Sequence, residues 1–314
     1  MHPGLILVTG ANGFIGRHLC RHLADRGFRV RGSVRSGADG VRDGIDYRSS
    51  GDIHGETDWA LLLDGVTHVV HAAARVHVLN ETDRKSLAAF RRVNADGTEC
   101  LARQALQAGV RRFVLLSTIK ADTAGLDPYD ISKREGEAAL ARLADGSVME
   151  TVVLRPPLVY GPGAAANFAR VVRAVARGWP LPLASVRNQR SFLYVANLCS
   201  AVETCLSHPD AAGRLMMLSD GPPLSTPAFL RFIGEALGRP ARLLPCPVWL
   251  LRLGGRVLRR LYIVERLTGD LVTDDREIRE QLGWRPPMDT RAALAETLAA
   301  QRTTRTATLC RHAT

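Results

Sequence analysis

Tyr129 and Lys133 lie four residues apart in the segment YDISK, which has the composition of the first turn of a helix. A helix places residues four apart on the same face. An ammonium group within several ångströms of a phenol favours the phenolate, so it lowers the tyrosine pKa from about 10 toward the neutral range. The pair is therefore predicted to exchange protons with a substrate, with Tyr129 as the general acid or base.

Two hydroxyl residues, Ser117 and Thr118, follow directly after the apolar segment RRFVLL. Such a segment is typical of a buried strand, and open parallel sheets bind their ligands at the carboxyl ends of the strands. We expect a hydroxyl at this position to bond a substrate carbonyl while Tyr129 supplies the proton. The YxxxK spacing alone occurs by chance in many helices, and its place after this strand is what favours the catalytic interpretation.

The chain begins with the order strand, glycine loop, helix. The apolar run LILV (5–8) precedes TGANGFIG, and RHLCRHLADRG then has apolar residues at helical spacing. The loop glycines are Gly10, Gly13 and Gly16. Glycine permits a tight turn and lets backbone amides approach a pyrophosphate at the amino end of a helix. This segment therefore predicts a dinucleotide site.

Further strand-like runs alternate with helical patterns, at 28–34, 67–74, 111–118 and 149–157. This alternation indicates an α/β fold, a Rossmann-like doubly wound parallel sheet with a smaller C-terminal substrate-binding region. We assign residues 1–160 to an NADP-binding domain that carries the catalytic residues. Residues 161–302 are assigned mainly to substrate binding, with some segments returning to the main sheet, and 303–314 to a disordered tail.

Composition excludes several other classes of protein. The 314 residues are 46% hydrophobic, with no apolar run long enough to span a membrane and no basic leader, which predicts a cytoplasmic protein. The six cysteines form no CxxC pair or His/Cys cluster, so neither a metal site nor a disulfide is expected. The net charge of +11 comes from scattered arginines without interleaved aromatic residues, so no nucleic-acid partner is predicted.

The motifs TGANGFIG, HAAARVH, VNADGT, LLSTIKA, YDISK and RPPLVYGPG resemble the extended short-chain dehydrogenase/reductase family, of the NAD-dependent epimerase/dehydratase type, over nearly the whole chain. The resemblance implies Tyr129 as catalytic acid or base and Lys133 as the residue that holds the nicotinamide ribose and tunes Tyr129. It also implies that Thr118 binds the reacting oxygen and that Asn94 lies near the active site. Family members act mostly on nucleotide sugars and pair as homodimers, here through a helix over about 84–108 and the helix that begins near Tyr129.

The same resemblance implies binding residues along the chain. For the cofactor they are Gly10, Gly13, Phe14, Ile15, Gly16, Ser33, Arg35, Asp52, Ile53, Ala72, Ala73, Lys133 and Pro156. For the substrate they are Thr118, Tyr129, Asn167, Arg190 and Arg266, the last three at positions that grip the diphosphate and nucleoside in nucleotide-sugar enzymes. Asp52 matches the contact to the adenine amine.

The segment VRGSVRS at the end of the second strand bears on which dinucleotide is used. NAD-preferring members usually carry an acidic residue there, whereas this chain has Ser33 and Arg35. An arginine attracts a 2′-phosphate, so NADP(H) is predicted as the preferred cofactor, with NAD(H) as the alternative.

Three activities compete within the resemblance. A 4,6-dehydratase places Asp and Glu after the catalytic threonine, but here Ile119 and Lys120 follow, which disfavours it. The STIKA and HAAARVH segments are most similar to reductases of UDP-4-keto-6-deoxy-hexosamines, of the UDP-N-acetylquinovosamine dehydrogenase type in surface polysaccharide precursor synthesis. The predicted function is therefore such a reductase. The alternatives are a UDP-hexose 4-epimerase with tightly bound NAD and, from another class, a non-catalytic NADP-sensing protein.

The stretch VWLLRLGGRVLRRLYI (248–263) alternates arginines with apolar residues. It fits a helix that packs its apolar face onto the smaller region, which is the favoured interpretation because two glycines lie in its middle. It also fits a helix lying on an anionic membrane surface. The sequence leaves both open.

Overall fold

The computed structural model describes residues 4–37, 39–76, 84–122, 127–164 and 166–311; for 84–86, 166–167 and 301–311 the description is confined to the backbone. The chain divides into two compact units. Unit 1 comprises 1–156, 198–218 and 274–285, and unit 2 comprises 157–197, 219–273 and 286–314. Among the described residues, none of the helices is both long and apolar enough to cross a membrane.

Unit 1 is built on an eight-stranded sheet with the order β10-β7-β6-β5-β1-β2-β4-β3. Its strands are β1 (Leu5–Thr9), β2 (Val30–Val34), β3 (Gly40–Arg42), β4 (Ile45–Ser49), β5 (Val66–His71), β6 (Arg112–Leu116), β7 (Glu150–Arg155) and β10 (Leu215–Met217). Every pairing is parallel except that of β3 with β4. The predicted α/β fold with a mostly parallel sheet is confirmed.

The sheet is covered by helices because its central strands are apolar on both faces. All five residues of β1 and of β6 are buried. The helices of the unit are α1 (Phe14–Asp25), α2 (Ala60–Leu63), α3 (Arg84–Arg91), α4 (Gly97–Gln107), α5 (Pro128–Ala144), α7 (Val195–Ser207, whose first three residues belong to unit 2) and α11 (Arg276–Gln281). One apolar cluster joins β1, β5 and β6 to α4 around Trp59, Leu101 and Phe113.

The strand order creates a crevice beside β1. The chain passes from β1 to β2 and β4 on one side, and then crosses to β5 on the other side of β1. Loops leaving neighbouring strands in opposite directions separate at such a point, and ligands bind there at the carboxyl ends of the strands. The fold therefore directs attention to the residues after β1, β5 and β6.

The helix predicted over about 84–108 is two helices, α3 and α4, joined by a π-helical turn over Arg92–Asp96. The Gly97 amide bonds the Arg92 carbonyl five residues earlier. The wider turn lets α5 approach closely, since a Cβ at Gly136 would collide with the Asn94 carbonyl oxygen. Such π-turns are frequent at functional sites.

Unit 2 contains the two-stranded parallel pair β8 (Leu158–Tyr160) and β9 (Phe192–Tyr194) with helices around it. The helices are α6 (Ala166–Ala176), α8 (Thr226–Leu237), α9 (Val248–Val257), α10 (Leu261–Thr268) and α12 (Thr290–Arg311). Buried Asp220 accepts hydrogen bonds from the Tyr160 hydroxyl at 2.8 Å and from Asn197 Nδ2 at 2.7 Å. Burial raises the pKa of this carboxyl to about 6.

Helix α12 extends beyond the boundary expected from the sequence. Its backbone is helical over 303–311, where a disordered tail is predicted. The alanine-rich first half of α12 favours the helix, and each following threonine costs only about 0.7 kcal/mol or less relative to alanine. Residues 312–314 lie outside the described residues. The assignment of residues 1–160 to cofactor binding and of 161–302 mainly to substrate binding stays a prediction.

Candidate active site

Helix α5 begins at a residue that fixes the place of Tyr129. Asp127 is the N-cap, its carboxylate accepts a hydrogen bond from the Tyr129 amide at 3.0 Å, and Pro128 occupies the first helical position. Both features are typical of helix starts. Tyr129 and Lys133 consequently occupy the first two turns of α5, as the sequence predicts.

Lys133 is buried beneath the carboxyl end of β6. Its ammonium donates a hydrogen bond to the Leu116 carbonyl at 2.6 Å, and its side chain is almost entirely shielded from solvent. Burial lowers the pKa of Lys133 to about 8, although the charge of Glu137 opposes the shift. The helix and the strand end are thus connected through this ammonium.

The phenol of Tyr129 differs from the prediction. Its pKa is raised above the usual value, first by burial and then by the negative charges of Asp130 and Asp127. The expected lowering by Lys133 is wrong for the protein without its ligands. Removal of the phenolate from water and the two neighbouring carboxylates both disfavour the charged form. Tyr129 therefore holds its proton at neutral pH, and its ring packs edge-to-face on Phe90 at 6.1 Å between centroids.

The two hydroxyls after β6 are both buried, but they differ in their partners. Thr118 Oγ1 accepts a hydrogen bond from the Lys120 amide at 3.3 Å. Ser117 Oγ is buried without a hydrogen-bond partner among the described residues. A buried hydroxyl without a partner costs about 1–3 kcal/mol, which a ligand oxygen would recover. The sequence analysis selects Thr118 as the residue that binds the reacting oxygen, and the structure adds Ser117 as a second candidate. Its position next to Thr118 is the feature of the sequence that could have indicated it.

Asn94 holds the loop that follows β5. Its Oδ1 accepts from the Arg75 amide at 2.8 Å, and its Nδ2 donates to the Arg75 carbonyl and to Ser132 Oγ, each at 3.0 Å. Both polar atoms of the side chain are therefore engaged within the protein. The amide joins the π-turn, the loop after β5 and helix α5, and its catalytic role stays a prediction.

The glycine loop forms a narrow turn between β1 and α1. Gly10 has φ +66°, and a Cβ there would lie 2.9 Å from the Ala73 Cα. Gly13 is the N-cap of α1 and has no side chain that could accept a hydrogen bond. The first backbone amides of the helix, including those of Phe14 and Ile15, are therefore not capped by a side chain. Uncapped amides at a helix start favour a phosphate. The residues present fit a dinucleotide diphosphate.

The loops after β1 and β5 are tied together where the dinucleotide is predicted. The Ala73 amide, next to Ala72, donates to Thr9 Oγ1 at 3.1 Å. The buried ring of His71 bridges Thr9 Oγ1 at 2.7 Å and Thr98 Oγ1 at 3.1 Å. Burial, and then the charge of Lys133, lowers the pKa of His71 to about 3. Sequence reasoning missed this neutral histidine, although it stands in HAAARVH directly before the two alanines.

Ser33 and Arg35, the residues at the end of β2 predicted to select NADP, both have partners within the protein. Arg35 Nε forms an ion pair with Asp52 Oδ1 at 3.1 Å, and both side chains are largely exposed. The hydroxyl of Ser33 is buried and donates to Ser50 Oγ at 2.8 Å, so it is already engaged. A carboxylate beside Arg35 offsets part of its attraction for a 2′-phosphate, and the NADP preference stays a prediction.

Two further cofactor candidates lie in the same unit. Ile53 follows Asp52 and packs against the apolar cluster of the sheet. Pro156 is buried after β7, and its carbonyl accepts a hydrogen bond from the Ile119 amide at 3.1 Å, which ties it to the segment that carries Thr118. Their contacts with a cofactor stay predictions.

Of the substrate residues in unit 2, Arg190 and Arg266 lie near each other. The charge of Arg266 contributes, after burial, to a lowered pKa of Arg190. Arg190 Nη1 donates to the Gly269 carbonyl at 2.9 Å, while Arg266 is exposed on α10. Two neighbouring guanidinium groups form a concentration of positive charge suited to a diphosphate. Asn167 is in α6, and its side chain lies outside the described residues.

In unit 1, the arrangement defines a class of protein. A glycine turn with uncapped helix amides, together with a tyrosine, a lysine and hydroxyls near strand ends of one Rossmann-like sheet, fits a dinucleotide-dependent enzyme. The chain belongs to the NAD dependent epimerase/dehydratase family, whose model matches residues 6–217.

Individual relatives agree with this membership. The chain is 39% identical over 312 residues to a UDP-glucose 4-epimerase of Vibrio cholerae, with 94% of each chain covered. It is 35% identical over 196 residues to a ceramide reductase of Caulobacter vibrioides, with 61% of this chain and 57% of the relative covered. Among solved structures, UDP-N-acetylglucosamine 4-epimerase from Bacillus cereus matches with a TM-score of 0.77 at 21% identity, covering 95% and 99% of the two chains.

Proposed function

We propose that this protein is a UDP-hexose 4-epimerase that uses NAD. The Arg35–Asp52 ion pair favours this choice over the reductase, because Asp52 offsets part of the attraction of Arg35 for the 2′-phosphate of NADPH, a cofactor that a reductase consumes and releases. The 39% identity to a UDP-glucose 4-epimerase over nearly the whole chain supports the same choice.

The residues of the site suit a reversible oxidation at carbon 4 of a sugar. When bound, the oxidised nicotinamide supplies a hydride acceptor and a positive charge. That charge would oppose the burial that raises the pKa of Tyr129 and so would favour its ionisation; the phenolate could then accept the proton of the sugar hydroxyl and, as the phenol, return it later. Lys133 holds the β6 end and the cofactor ribose, and Ser117 or Thr118 bonds the sugar oxygen as its charge changes.

Arg190 and Arg266 are proposed to hold the diphosphate of the UDP-sugar. An arginine fork bonds two phosphate oxygens at once, and a pair of arginines can neutralise both phosphates. An epimerase must release the keto-sugar from one face and present its other face to the same hydride, while the nucleotide stays bound. A firm hold on the diphosphate allows this, because the sugar ring then turns about its link to the phosphate.

The experiment is incubation of the purified protein with UDP-glucose, UDP-galactose or UDP-N-acetylglucosamine without added cofactor, with the products separated by chromatography. We expect conversion to the C4 epimer and about one NAD per chain in the supernatant after denaturation. Absence of epimer from all three sugars, although NAD is bound, would contradict the proposal.

A second candidate is the NADPH-dependent reductase of a UDP-4-keto-6-deoxy-N-acetylhexosamine. The observation in its favour is that the segment after β2, Arg35–Ser36–Gly37, contains no acidic residue of its own. Under this candidate the protein oxidises NADPH only when a UDP-4-keto-sugar is present and leaves UDP-hexoses unchanged. The same panel of sugars, with absorbance of the reduced nicotinamide as a second readout, separates the two activities.

We also propose that the protein forms a homodimer through α3, α4 and α5. In one chain, α3 is already joined to α5 by an ion pair between Arg91 and Glu135. Packing of the same helices from a second copy would form a four-helix interface with two-fold symmetry. Sedimentation at micromolar concentration tests this, and a species of 34.2 kDa, the mass of one chain, would contradict it.

A further inference from the structure

Helix α9 carries an apolar face that is exposed to solvent. Five large side chains on the helix or directly after it have exposed fractions between 45% and 76%: Trp249, Leu250, Leu253, Val257 and Leu258. These five residues are called the α9 apolar face below. Monomeric proteins seldom expose a large apolar patch unless it binds a partner or a membrane.

The packing of α9 on α10 explains why this face points outward. Gly255 is the buried residue of α9, and a Cβ there would lie 2.8 Å from Val264 Cγ2 of α10. Each residue of a helix advances by about 100°. Trp249, Leu253 and Val257 therefore lie on the side opposite Gly255. The favoured sequence interpretation, a helix that packs its apolar face onto the smaller region, is wrong for these three residues, while the half-buried Val248 and Leu251 lie on the side of Gly255.

The charges of the segment that carries this face all have the same sign, and the next acidic residue along the chain is Glu265 in α10. Arg252 and Arg256 lie on one flank of α9, and Arg259 and Arg260 follow it, all four exposed. Between residues 239 and 264 the sequence contains arginines at 239, 242, 252, 256, 259 and 260 and no aspartate or glutamate. An apolar face bordered by arginines matches the interface of an anionic bilayer, where apolar side chains enter the acyl boundary and cations meet phosphate groups.

We propose that the α9 apolar face and its four arginines dock this protein on the surface of an anionic lipid bilayer. Trp249 suits the level of the headgroups, since indole rings favour the boundary between water and hydrocarbon. The arginines attract the protein to the surface, and Leu253 and Val257 insert when it arrives. The contact is peripheral and reversible, because α9 has only ten residues.

A second copy of the chain is a less suitable occupant of this face. Two copies meeting here would bring the same arginines together without an acidic residue from this segment to compensate them. The repulsion between like charges opposes such a contact. An anionic surface removes that repulsion, and charge complementarity therefore favours the bilayer.

The test is flotation of the full chain with vesicles of phosphatidylcholine alone and of an equimolar mixture of phosphatidylcholine and phosphatidylglycerol. We expect binding to the mixture that weakens as salt is added, and little binding to phosphatidylcholine alone. Each arginine contributes about a fivefold factor at low salt, so Arg252→Gln with Arg256→Gln should reduce the partition coefficient by about 25-fold.

A second variant separates the apolar contribution from the charge. Leu253→Ser with Val257→Ser keeps every arginine, and we expect it to reduce partitioning by about tenfold or more. The matched control for the serine variant is Leu61→Ser with Val148→Ser, which replaces apolar side chains that are 85% and 89% exposed away from α9. The matched control for the glutamine variant is Arg29→Gln with Arg111→Gln, which makes the same charge change on exposed residues of unit 1. Both controls should bind vesicles like the unaltered protein.

Three results would overturn the proposal. The first is no binding to phosphatidylglycerol vesicles at low salt. The second is an equal reduction in the α9 variants and their controls, which would reflect net charge or general surface hydrophobicity. The third is vesicle binding that does not change in the α9 variants while their self-association, measured by sedimentation, decreases; the face would then meet another copy of the chain.

Discussion

Gly10→Ala tests the glycine cradle between β1 and β5, and Gly27→Ala is its matched control. Both glycines have positive φ, +66° and +84°, so alanine incurs the left-handed backbone cost of about 1–2 kcal/mol at each. At Gly27 the added Cβ meets nothing within 4 Å, whereas at Gly10 it lies 2.9 Å from the Ala73 Cα and 3.0 Å from the Ala73 nitrogen. Overpacking against backbone adds about 1–3 kcal/mol.

The two variants should therefore differ in a measurable way. In urea unfolding we expect Gly27→Ala to lose about 1 kcal/mol and Gly10→Ala about 3 kcal/mol. Isothermal titration with NAD should give at least about a tenfold weaker affinity for Gly10→Ala, because Ala73 and the turn must move apart, and an unchanged affinity for Gly27→Ala. Equal losses of stability, or unchanged NAD affinity in Gly10→Ala, would refute the close approach as the basis of the cradle.

Three further predictions concern the buried titratable groups. Tyr129→Phe should reduce turnover by about a hundredfold or more with NAD affinity unchanged in titration, since only the proton transfer is lost, and turnover within threefold of the unaltered enzyme would remove Tyr129 from this role. Lys133→Met should abolish most turnover. It should nevertheless raise the free energy of unfolding of the cofactor-free protein by about 2 kcal/mol, because it removes a burial cost of about 3 kcal/mol for the ammonium and loses about 1 kcal/mol with the hydrogen bond to Leu116. The lowered pKa of Lys133 also means that unfolding takes up a proton between pH about 8 and 10.5, so its contribution to stability rises with pH there; a stability of Lys133→Met below that of the unaltered protein at neutral pH would contradict the assigned cost. Folding lowers the pKa of His71 from 6.5 to about 3, so its contribution to the free energy of unfolding is fully present above pH 6.5 and decreases by about 3 kcal/mol when the pH falls two units below that. In urea unfolding followed against pH, His71→Asn should therefore lose stability less steeply on acidification.

The parallel sheet and the position of the site could be predicted because their signals are local. Apolar runs of strand length, glycines after the first strand and YDISK before a helical pattern each depend on neighbouring residues alone. The β3–β4 hairpin was missed although its sequence signal is also local. Asp43 is followed by Gly44, a pair common in the tight turns that join antiparallel strands, and both residues have positive φ. Three exposed residues in β3 gave no apolar pattern to detect.

The errors concern quantities that depend on the folded environment. The pKa of Tyr129 was predicted from one neighbouring charge, but the dominant contribution is burial, which spacing in a sequence does not report. Arg35 and Asp52 lie seventeen positions apart, and only the adjacent ends of β2 and β4 bring their side chains together. The π-turn at Asn94 likewise meets α5 at Gly136, a contact between distant segments that spacing in the sequence does not report.

The fate of the hydrogen at carbon 4 tests the central claim most directly. UDP-galactose deuterated at carbon 4 is incubated with the protein and an excess of unlabelled NADH and NADPH, and the product is analysed by mass spectrometry. An epimerase returns the same hydride to the same carbon without releasing its cofactor, so we expect UDP-glucose that retains the deuterium. UDP-glucose with protium at carbon 4, or deuterium accumulating in the NADH or NADPH pool without epimer, would contradict the assignment.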